Sequence, residues 1–239
     1  MGSVGNTKGR RERLRAETTA EIKKVALELM ASGGPGAITL RAIAREMGMT
    51  ANAIYGYFAT RDDLVTTLIN DVYTSLADTV DAAWDAAPAL DPAVQIQAWA
   101  CAFRTWALAN PEGFRLIYGD PVPGYRPPEG GAAPDAAHRL CTGITALAAA
   151  AWPHAELLHA DGDFTWSDFD PGLLEKVRPA FPDLPPAAVA LAMRIWSHLH
   201  GLVSLEIYGH LQTQALSPEK LFREELAQLI RSLDIPSQS

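Results

Sequence analysis

The chain has 239 residues, of which 48% are hydrophobic and 20% charged, and this balance excludes a largely disordered protein. No run approaches the roughly 20 apolar residues of a membrane-spanning helix, and the polar, basic start does not resemble a secretory signal. We therefore predict a cytoplasmic protein with no membrane partner. The net charge of −8 argues against nucleic-acid binding only if the charge is evenly spread.

The charge is in fact unevenly distributed along the chain. Residues 1–62 carry ten Lys or Arg against six Asp or Glu, whereas residues 63–239 carry ten against 22. A small basic unit joined to an acidic body is typical of a protein in which one end meets phosphates. Drift produces the same asymmetry, so the charge pattern alone does not decide between these interpretations.

The first helical pattern follows a short basic segment. Residues 1–17 contain five Lys or Arg and little apolar surface, which predicts a flexible basic arm. From Thr18 the apolar residues recur with helical period, beginning with Ile22 and Val25. The run of glycine and proline at 33–36 should end this helix.

The stretch from Ile38 to Leu64 has the pattern of a helix-turn-helix. Ala44, Gly48 and Ile54 stand at offsets 0, 4 and 10, which suits a small residue at a helix crossing, a left-handed turn and a core contact. Thr50 is predicted to cap the second helix, and Thr60 is predicted to cap a long helix that runs to about residue 84.

Residues 39–64 closely resemble the signature of the TetR family of bacterial transcriptional regulators. That signature runs from Thr-x-x-x-Ile-Ala through Gly-Val-Ser to Tyr-x-His-Phe-x-x-Lys-x-x-Leu. Tyr57 replaces the usual His and Arg61 the usual Lys, and both still offer a hydrogen-bond donor. The resemblance implies an all-α fold: an N-terminal three-helix DNA-binding domain over 18–62, then a C-terminal helical ligand-binding and dimerisation domain over 63–239.

The resemblance also implies which side chains meet DNA. The start of the second helix should enter the major groove. Contacts to the phosphate backbone are expected from Thr39, Thr50, Tyr55, Tyr57 and Arg61. Contacts to base edges are expected from Arg41, Ala51 and Asn52. Core packing stays an alternative for the two tyrosines, as does a solvated surface for Arg41 and Asn52.

Beyond residue 88 the chain keeps a helical period and shows no strand pattern. Helices are predicted at about 92–110, 111–118, 134–152, 186–209 and 218–233, with proline at or near each start. Two segments break the pattern and are predicted to be loops. They are the Pro- and Gly-rich 120–133 and the Asp- and aromatic-rich 153–171.

The last helical segments resemble a TetR subgroup marked by a Trp…His-Gly motif, here Trp196, His200 and Gly201. Family members dimerise through their last two helices, which implies a homodimer on a near-palindromic DNA operator. The implied function is that of a repressor released by a small, mainly apolar or aromatic effector. The alternative is an activator, or a constitutive DNA-binding protein without an effector.

The body is rich in large aromatic residues that either form its core or line an effector pocket. The candidate ligand-binding residues are Trp99, Phe103, Trp106, Phe114, Tyr118, Trp152, Trp196 and His200. Nothing in the sequence identifies the effector.

Catalytic and metal sites have little support in the sequence. The segment 154–170 gathers two His and four Asp, but it lacks the spacing of a calcium loop or a zinc site. No Gly-rich phosphate loop and no hydrolase or metalloprotease motif occurs. We therefore expect no enzyme activity, no metal and no cofactor.

Overall fold

The protein is described from a computed structural model, covering residues 4–88, 91–160, 162–214 and 216–235, with side chains from residue 9 onward. Within these ranges the regular structure is entirely helical, so the predicted all-α class is confirmed. The helices are α1 (Val4–Gly33), α2 (Leu40–Glu46), α3 (Ala51–Tyr55), α4 (Arg61–Ala86), α5 (Pro92–Ala109), α6 (Pro111–Tyr118), α7 (Pro134–His159), α8 (Pro171–Ala180), α9 (Pro186–Ile207) and α10 (Pro218–Ser232). Single 3-10 turns occupy Pro35–Ala37 and Trp166–Asp168.

The chain divides into two compact units. Unit 1 takes in the chain up to Tyr73 together with Asn110–Ala133, and unit 2 takes in Thr74–Ala109 and the chain from Pro134 onward. Helix α4 therefore begins in unit 1 and ends in unit 2. These units differ from the predicted domains in two ways: the division falls inside α4, and α6 with the segment after it belongs to unit 1.

Unit 1 is built on a buried face of α1. Ile22, Val25, Ala26 and Met30 point into one apolar core, which is the face that the helical period predicts. The helix ends at the predicted glycines, where Gly34 has a φ of 74° and its N–H donates to the Met30 carbonyl at 2.8 Å. The core is completed from other elements by Ile38, Leu40, Ile43, Ala44, Ile54, Phe58, Leu64, Val65, Leu68, Leu116 and Val122.

The predicted flexible arm is helical where the structure describes it, and this corrects the sequence interpretation. Residues 1–3 lie outside the described residues, but α1 starts at Val4. Once the packed half of a helix is formed, each further residue adds a hydrogen bond without a new nucleation cost. Arg, Glu, Ala and Leu are good helix formers, and Arg13 also lies 3.8 Å from Glu17 one turn later.

Helix α6 packs closely on α4 within unit 1. A Cβ on Gly113 would lie 3.3 Å from Val72 Cγ1, tighter than an ordinary contact, so a glycine lets the two helices approach.

The segment 120–133 was predicted as a loop, and it lacks a helix, but it is not simply a surface loop. Val122 is buried in the core of unit 1, and the Tyr125 hydroxyl lies 2.8 Å from Thr66 Oγ1.

Unit 2 contains most of the predicted C-terminal helices, and apart from the end of α7 their bounds lie within one or two residues of expectation. All six helices from α5 to α10 begin with proline at the first or second position, where the missing N–H costs nothing. The core is formed mainly by α5, α7 and α9, and its largest fully buried side chains include Trp99, Phe103, Leu147 and Ile195.

The predicted loop over 153–171 is wrong at its start, and the helix that follows it was missed. Helix α7 does not stop at Trp152 but continues through Pro153 to His159, because Ala155 extends the same buried face as Ala151 and offsets the missing N–H. Helix α8 was not predicted at all. It is capped by Asp170, whose carboxylate accepts from the Gly172 N–H at 2.8 Å, but its one buried residue, Val177, gives no readable helical period.

A buried ion pair connects α5 to α9. Arg104 donates from Nε and Nη2 to the two carboxylate oxygens of Glu206 at 2.9 and 2.8 Å. The two side chains are only 14% and 16% exposed, and the Arg104 guanidinium lies 5.3 Å from the ring centre of Phe222 in α10. The helices α5, α9 and α10 of unit 2 thus meet at this hydrogen-bonded ion pair.

One helix in the described part of the chain, α9, is long and apolar enough to cross a membrane by length and composition alone. Of its most apolar window, 44% is buried inside the protein. Core helices pass the same test, so this is weak evidence for membrane insertion.

Candidate functional site

The geometry predicted for the helix-turn-helix is present in α2, α3 and the turn between them. Gly48 has a φ of 64°, the left-handed conformation that favours glycine. Ala44 and Ile54 are both buried, and the Met49 N–H donates to the Ala44 carbonyl at 2.8 Å across the turn. Each of the three residues in the predicted spacing therefore occupies the environment that the spacing requires.

Threonine caps start all three helices of this region. Thr39 Oγ1 accepts from the Ala42 N–H at 3.1 Å, and Thr50 Oγ1 accepts from the Ala53 N–H at 3.2 Å. Thr60 and Asp63 exchange reciprocal bonds of 3.0 Å at the start of α4, so the predicted caps are confirmed. Thr39 and Thr50 are exposed. Because each hydroxyl accepts from the backbone, its own proton remains suited to donation outward.

The predicted base-contacting residues face outward. Arg41 on α2 and Asn52 on α3 are exposed, while Ala51 is half-buried at the start of α3. Tyr55 is 49% exposed at the end of α3, which removes the core-packing alternative for this tyrosine. The surface that these residues form combines a cation, an amide and a phenol.

Tyr57 has a more structural environment than Tyr55. Its ring is half-buried against the core of unit 1. The Arg15 guanidinium lies 4.9 Å from the ring centre of Tyr57, and Nη2 of the same side chain donates to the Gly56 carbonyl at 2.7 Å. Arg15, which the sequence assigned to a flexible arm, thus contacts the residues that follow α3.

Arg61 lies where sequence reasoning did not place it. Its Nε donates to the Ile38 carbonyl at 2.6 Å, and its Nη1 donates to the Pro123 carbonyl at 2.9 Å. One side chain thus joins the start of α4 to the residue before the Thr39 cap and to the segment after α6. This role is hard to predict from the sequence, because both acceptors are main-chain carbonyls of residues far from Arg61 in the chain. The only signal is that a guanidinium can donate several hydrogen bonds at once.

The predicted ligand-binding aromatics divide between the two units. Trp99, Phe103, Trp196 and His200 form one contacting cluster in unit 2, with ring centres of 5.7 Å for Trp99–Phe103 and 4.9 Å for Trp196–His200. Phe114 and Tyr118 belong to unit 1, and their ring centres are 5.1 Å apart.

The remaining members of the predicted set are buried. Trp106 donates from Nε1 to Ser75 Oγ at 3.0 Å, and Trp152 lies on the buried face of α7.

Burial raises the pKa of Tyr118, with the neighbouring Tyr73 adding to the rise. A phenol in this environment stays neutral, which suits a core role.

The described residues of unit 2 line at least two cavities. The first, of about 260 Å³, is lined by Asp81, Trp84, Trp99, Arg139, Thr142, Gly143, Ala146 and Phe181. The second, of about 430 Å³, is lined by Asp91, Ala93, Val94, Gln97, Cys101, Arg223, Leu226, Ala227, Ile230, Arg231 and Ile235. Of the predicted ligand-binding residues, Trp99 lines the first cavity and none lines the second.

Within the part of the chain that the structure describes, no three His, Cys, Asp or Glu side chains are arranged to hold a metal ion. Asp161, one of the acidic residues considered from the sequence, lies outside the described residues. Of the others, Asp168 accepts from the Thr165 N–H and hydroxyl, which lower the pKa of its carboxyl and give it a capping role.

His200 gives a testable pH dependence. Burial lowers the pKa of His200 below its ordinary value, so the folded chain binds this proton less readily than the unfolded chain. The contribution of His200 to the free energy of unfolding should therefore be constant well above a pH of about 6.5 and should fall as the pH drops below it. We expect His200→Gln to flatten this dependence in urea unfolding at pH 5 and pH 7.5, whereas His210→Gln, at an exposed position, should not. Equal pH slopes for all three proteins would contradict the assignment.

Comparisons with known proteins agree with the helix-turn-helix. Residues 22–68 match the family model described as bacterial regulatory proteins, tetR family. Residues 96–229 match the model for the tetracyclin repressor-like C-terminal domain.

Individual relatives cover most of the chain. The HTH-type transcriptional regulator Rv1816 of Mycobacterium tuberculosis is 35% identical over 208 residues, which are 84% of this chain and 85% of that protein. A crystal structure of the regulatory protein SCO4313 is 37% identical, with a TM-score of 0.69 over 91% of this chain and 97% of the other. A tetR-family regulatory protein from Rhodococcus RHA1 shares the fold at 19% identity, with a TM-score of 0.61 over 92% of this chain and 98% of the other. With its helix-turn-helix geometry, both family models and these relatives, the chain belongs to the TetR family of DNA-binding transcriptional regulators.

Proposed function

We propose that the chain is a cytoplasmic repressor that binds a near-palindromic operator as a homodimer and leaves it when a small, mainly apolar or aromatic molecule binds unit 2. The observation that carries this proposal is the outward-facing set on α2 and α3. Arg41, Asn52 and Tyr55 are exposed there, beside a helix-turn-helix whose turn and caps have the required geometry.

In the proposed complex the start of α3 enters the major groove. Asn52 would pair with adenine, Arg41 would read guanine, and Ala51 would meet a thymine methyl. Tyr55 and Tyr57 and the caps Thr39 and Thr50 would donate to phosphates and so fix the register without reading sequence. Arg61 stays a predicted phosphate contact, but its two backbone acceptors support a positioning role instead.

The basic start of α1 supplies further positive charge. Arg10, Arg11 and Arg13 are exposed on a helix in unit 1 and would attract the DNA backbone. Because Arg15 in the same stretch contacts Gly56 and Tyr57, deleting the stretch would remove a structural contact together with the charges. Neutralising Arg10, Arg11 and Arg13 to Gln, with Arg15 kept, is therefore the cleaner test of the arm.

Dimerisation is proposed through α9 and α10. Apart from its chain neighbours and the backbone of its own helix, no described atom lies within 4 Å of the Cβ position of Gly201, which leaves room for the close approach of a second copy. Met193 and Leu205 on α9 are half exposed although apolar. A two-fold dimer would present two α3 helices about 34–36 Å apart, matching successive turns of the operator.

Effector control is proposed to act through α4, since this helix begins in unit 1 and ends in unit 2. A ligand that favours one conformation of unit 2 would shift α4 and with it the spacing of the recognition helices. If release by small molecules does not occur, the alternative function is that of an activator or of a constitutive DNA-binding protein.

Removing the hydroxyl of Tyr55 tests the DNA-binding surface. We expect Tyr55→Phe to weaken binding to all duplexes by a similar factor and to leave the slope of log affinity against log salt unchanged, because a neutral hydroxyl donates to a phosphate without neutralising it. The measurement is fluorescence anisotropy with duplexes from the intergenic region beside the gene, including the number of chains bound per duplex. Asn52→Ala is the matched comparison and should change sequence preference while leaving the slope. The surface assignment fails if the two variants exchange these effects or if neither changes binding.

A further inference from the structure

The smaller cavity of unit 2 has an apolar, aromatic wall. Trp84 near the end of α4, Trp99 on α5 and Phe181 after α8 face a space of about 260 Å³. This volume lies just below the range of roughly 300–1,000 Å³ that is typical of ligand pockets and suits a molecule of roughly a dozen non-hydrogen atoms. Flat rings stack favourably on indole and phenyl walls of this kind.

Trp99 supplies a buried donor that the protein leaves unsatisfied. The residue is 1% exposed, and its indole Nε1 has no hydrogen-bond acceptor among the described residues. Buried tryptophans normally find a partner for this N–H, because leaving it unpaired costs stability. A donor in the wall of a cavity that no described residue pairs is positioned for an acceptor on a bound molecule.

Gly143 lies beside this donor. A Cβ at this position, in the interior of α7, would lie 3.5 Å from Trp99 Nε1. Glycine inside a helix is unfavourable compared with alanine, and here its lack of a side chain keeps a methyl group away from the indole N–H. Gly143 also lines the cavity, so the donor and the vacant position lie on the same wall.

The charged groups of the cavity are already paired with one another. Arg139 contacts Asp81 Oδ2 at 2.7 Å and Asp78 Oδ1 at 2.8 Å. One guanidinium between two carboxylates leaves this edge with a net negative charge. Among the residues that line the cavity, an anionic ligand would gain no unpaired cation and would be repelled by this edge, whereas a neutral ligand would not.

We propose that this cavity binds a small, neutral, mainly aromatic molecule whose carbonyl oxygen accepts a hydrogen bond from Trp99 Nε1. The rings pack between Trp84, Trp99 and Phe181, and the oxygen lies beside Gly143. Nε1 is shielded from solvent in the ligand-free protein, so the wall at Gly143 adjusts slightly to admit the oxygen. Binding in this cavity does not depend on the proposed function. Only the role of the bound molecule as an effector rests on it.

The experiment compares probes that differ in one feature. We expect α-tetralone, a neutral bicyclic ketone, to bind the full-length protein in isothermal titration calorimetry. Tetralin, which has the same rings without the oxygen, should bind about tenfold more weakly, as one neutral hydrogen bond allows. The anion 1-naphthoate should bind more weakly than α-tetralone.

Two variants locate the site. Trp99→Phe removes the donor and keeps a ring, so the preference for α-tetralone over tetralin should disappear. Gly143→Ala places a methyl group beside Nε1 at an ordinary contact distance, so the variant should fold and lose about tenfold in affinity for α-tetralone. Leu157→Ala, an 89% exposed position on the same helix, is the control and should bind like the original protein.

Several outcomes would overturn the assignment. They are no binding of α-tetralone at millimolar concentration, equal affinity for the ketone and the hydrocarbon, stronger binding of 1-naphthoate, or affinities that neither variant alters. A DNA-release assay separates this site from the proposed function. If α-tetralone binds as described but never releases DNA, the site stands and the effector role fails. If another compound releases DNA equally well from both variants, the regulator stands and the effector role of this cavity fails.

Discussion

Replacing Glu206 by Ala is expected to lower the free energy of unfolding by about 3–5 kcal/mol, because the change leaves Arg104 charged and unpaired in a largely buried position. Both of its bonds to Glu206, at 2.9 and 2.8 Å, would be removed. The neighbouring ring of Phe222 does not replace a carboxylate. The measurement is urea unfolding followed by circular dichroism, at one fixed protein concentration because dimerisation adds to apparent stability.

Two comparisons show whether this loss comes from burial of the pair. Lys220 and Glu224 on α10 form an ion pair whose side chains are 67% and 65% exposed, so Lys220→Ala should change the free energy of unfolding by less than about 1 kcal/mol. Changing Arg104 and Glu206 together to Met should recover much of the stability that Glu206→Ala removes, because no charge is left unpaired. A Glu206→Ala protein as stable as Lys220→Ala would contradict the role assigned to the pair.

The helix-turn-helix could be predicted from the sequence because local chemistry decides it. Gly48 has to adopt a positive φ, Thr50 has to cap the next helix, and Ile54 has to return to the core. All three requirements follow from residues fewer than twelve positions apart. The prolines at the helix starts gave the bounds of most C-terminal helices for the same reason.

Features that depend on tertiary contacts could not be predicted. The end of α7 was misplaced because Pro153 normally stops a helix, and only the burial of Ala155 shows why the helix continues. Helix α8 has too few buried residues to give a period. The return of 110–133 to unit 1 is a matter of chain topology, on which local sequence carries no information.

The candidate ligand residues show most clearly which features depend on the three-dimensional structure. An aromatic side chain that packs in a core and one that lines a cavity look alike in sequence, and Trp99 does both. Its unsatisfied N–H and the vacant position at Gly143 distinguish it from Phe103, and both depend on coordinates. Trp84, Arg139 and Phe181, which also line the cavity, were missed because they come from separate helices and a loop.

Replacing Arg61 by Ala is expected to lower the free energy of unfolding by about 2–4 kcal/mol, because two hydrogen bonds from a charged donor are removed. The carbonyls of Ile38 and Pro123 would lose this partner, and the start of α2 would lose its connection to α4. DNA affinity should fall for every duplex, but the salt slope should stay the same, because no phosphate contact is removed. The measurements are urea unfolding and anisotropy titrations at several salt concentrations.

Arg61→Lys separates this positioning role from the phosphate contact that the family resemblance implies. Lysine keeps the charge and is the usual residue of the family signature at this position, so a phosphate contact would survive the change. Its single ammonium group lacks the planar fork that reaches two carbonyls at once. We therefore expect Arg61→Lys to remain destabilised while it binds DNA with the original salt slope. A different result would contradict the positioning role. In that result Arg61→Ala keeps its free energy of unfolding, its salt slope falls by about one unit for each bound chain, and Arg61→Lys restores both DNA affinity and slope. The guanidinium would then contact a phosphate.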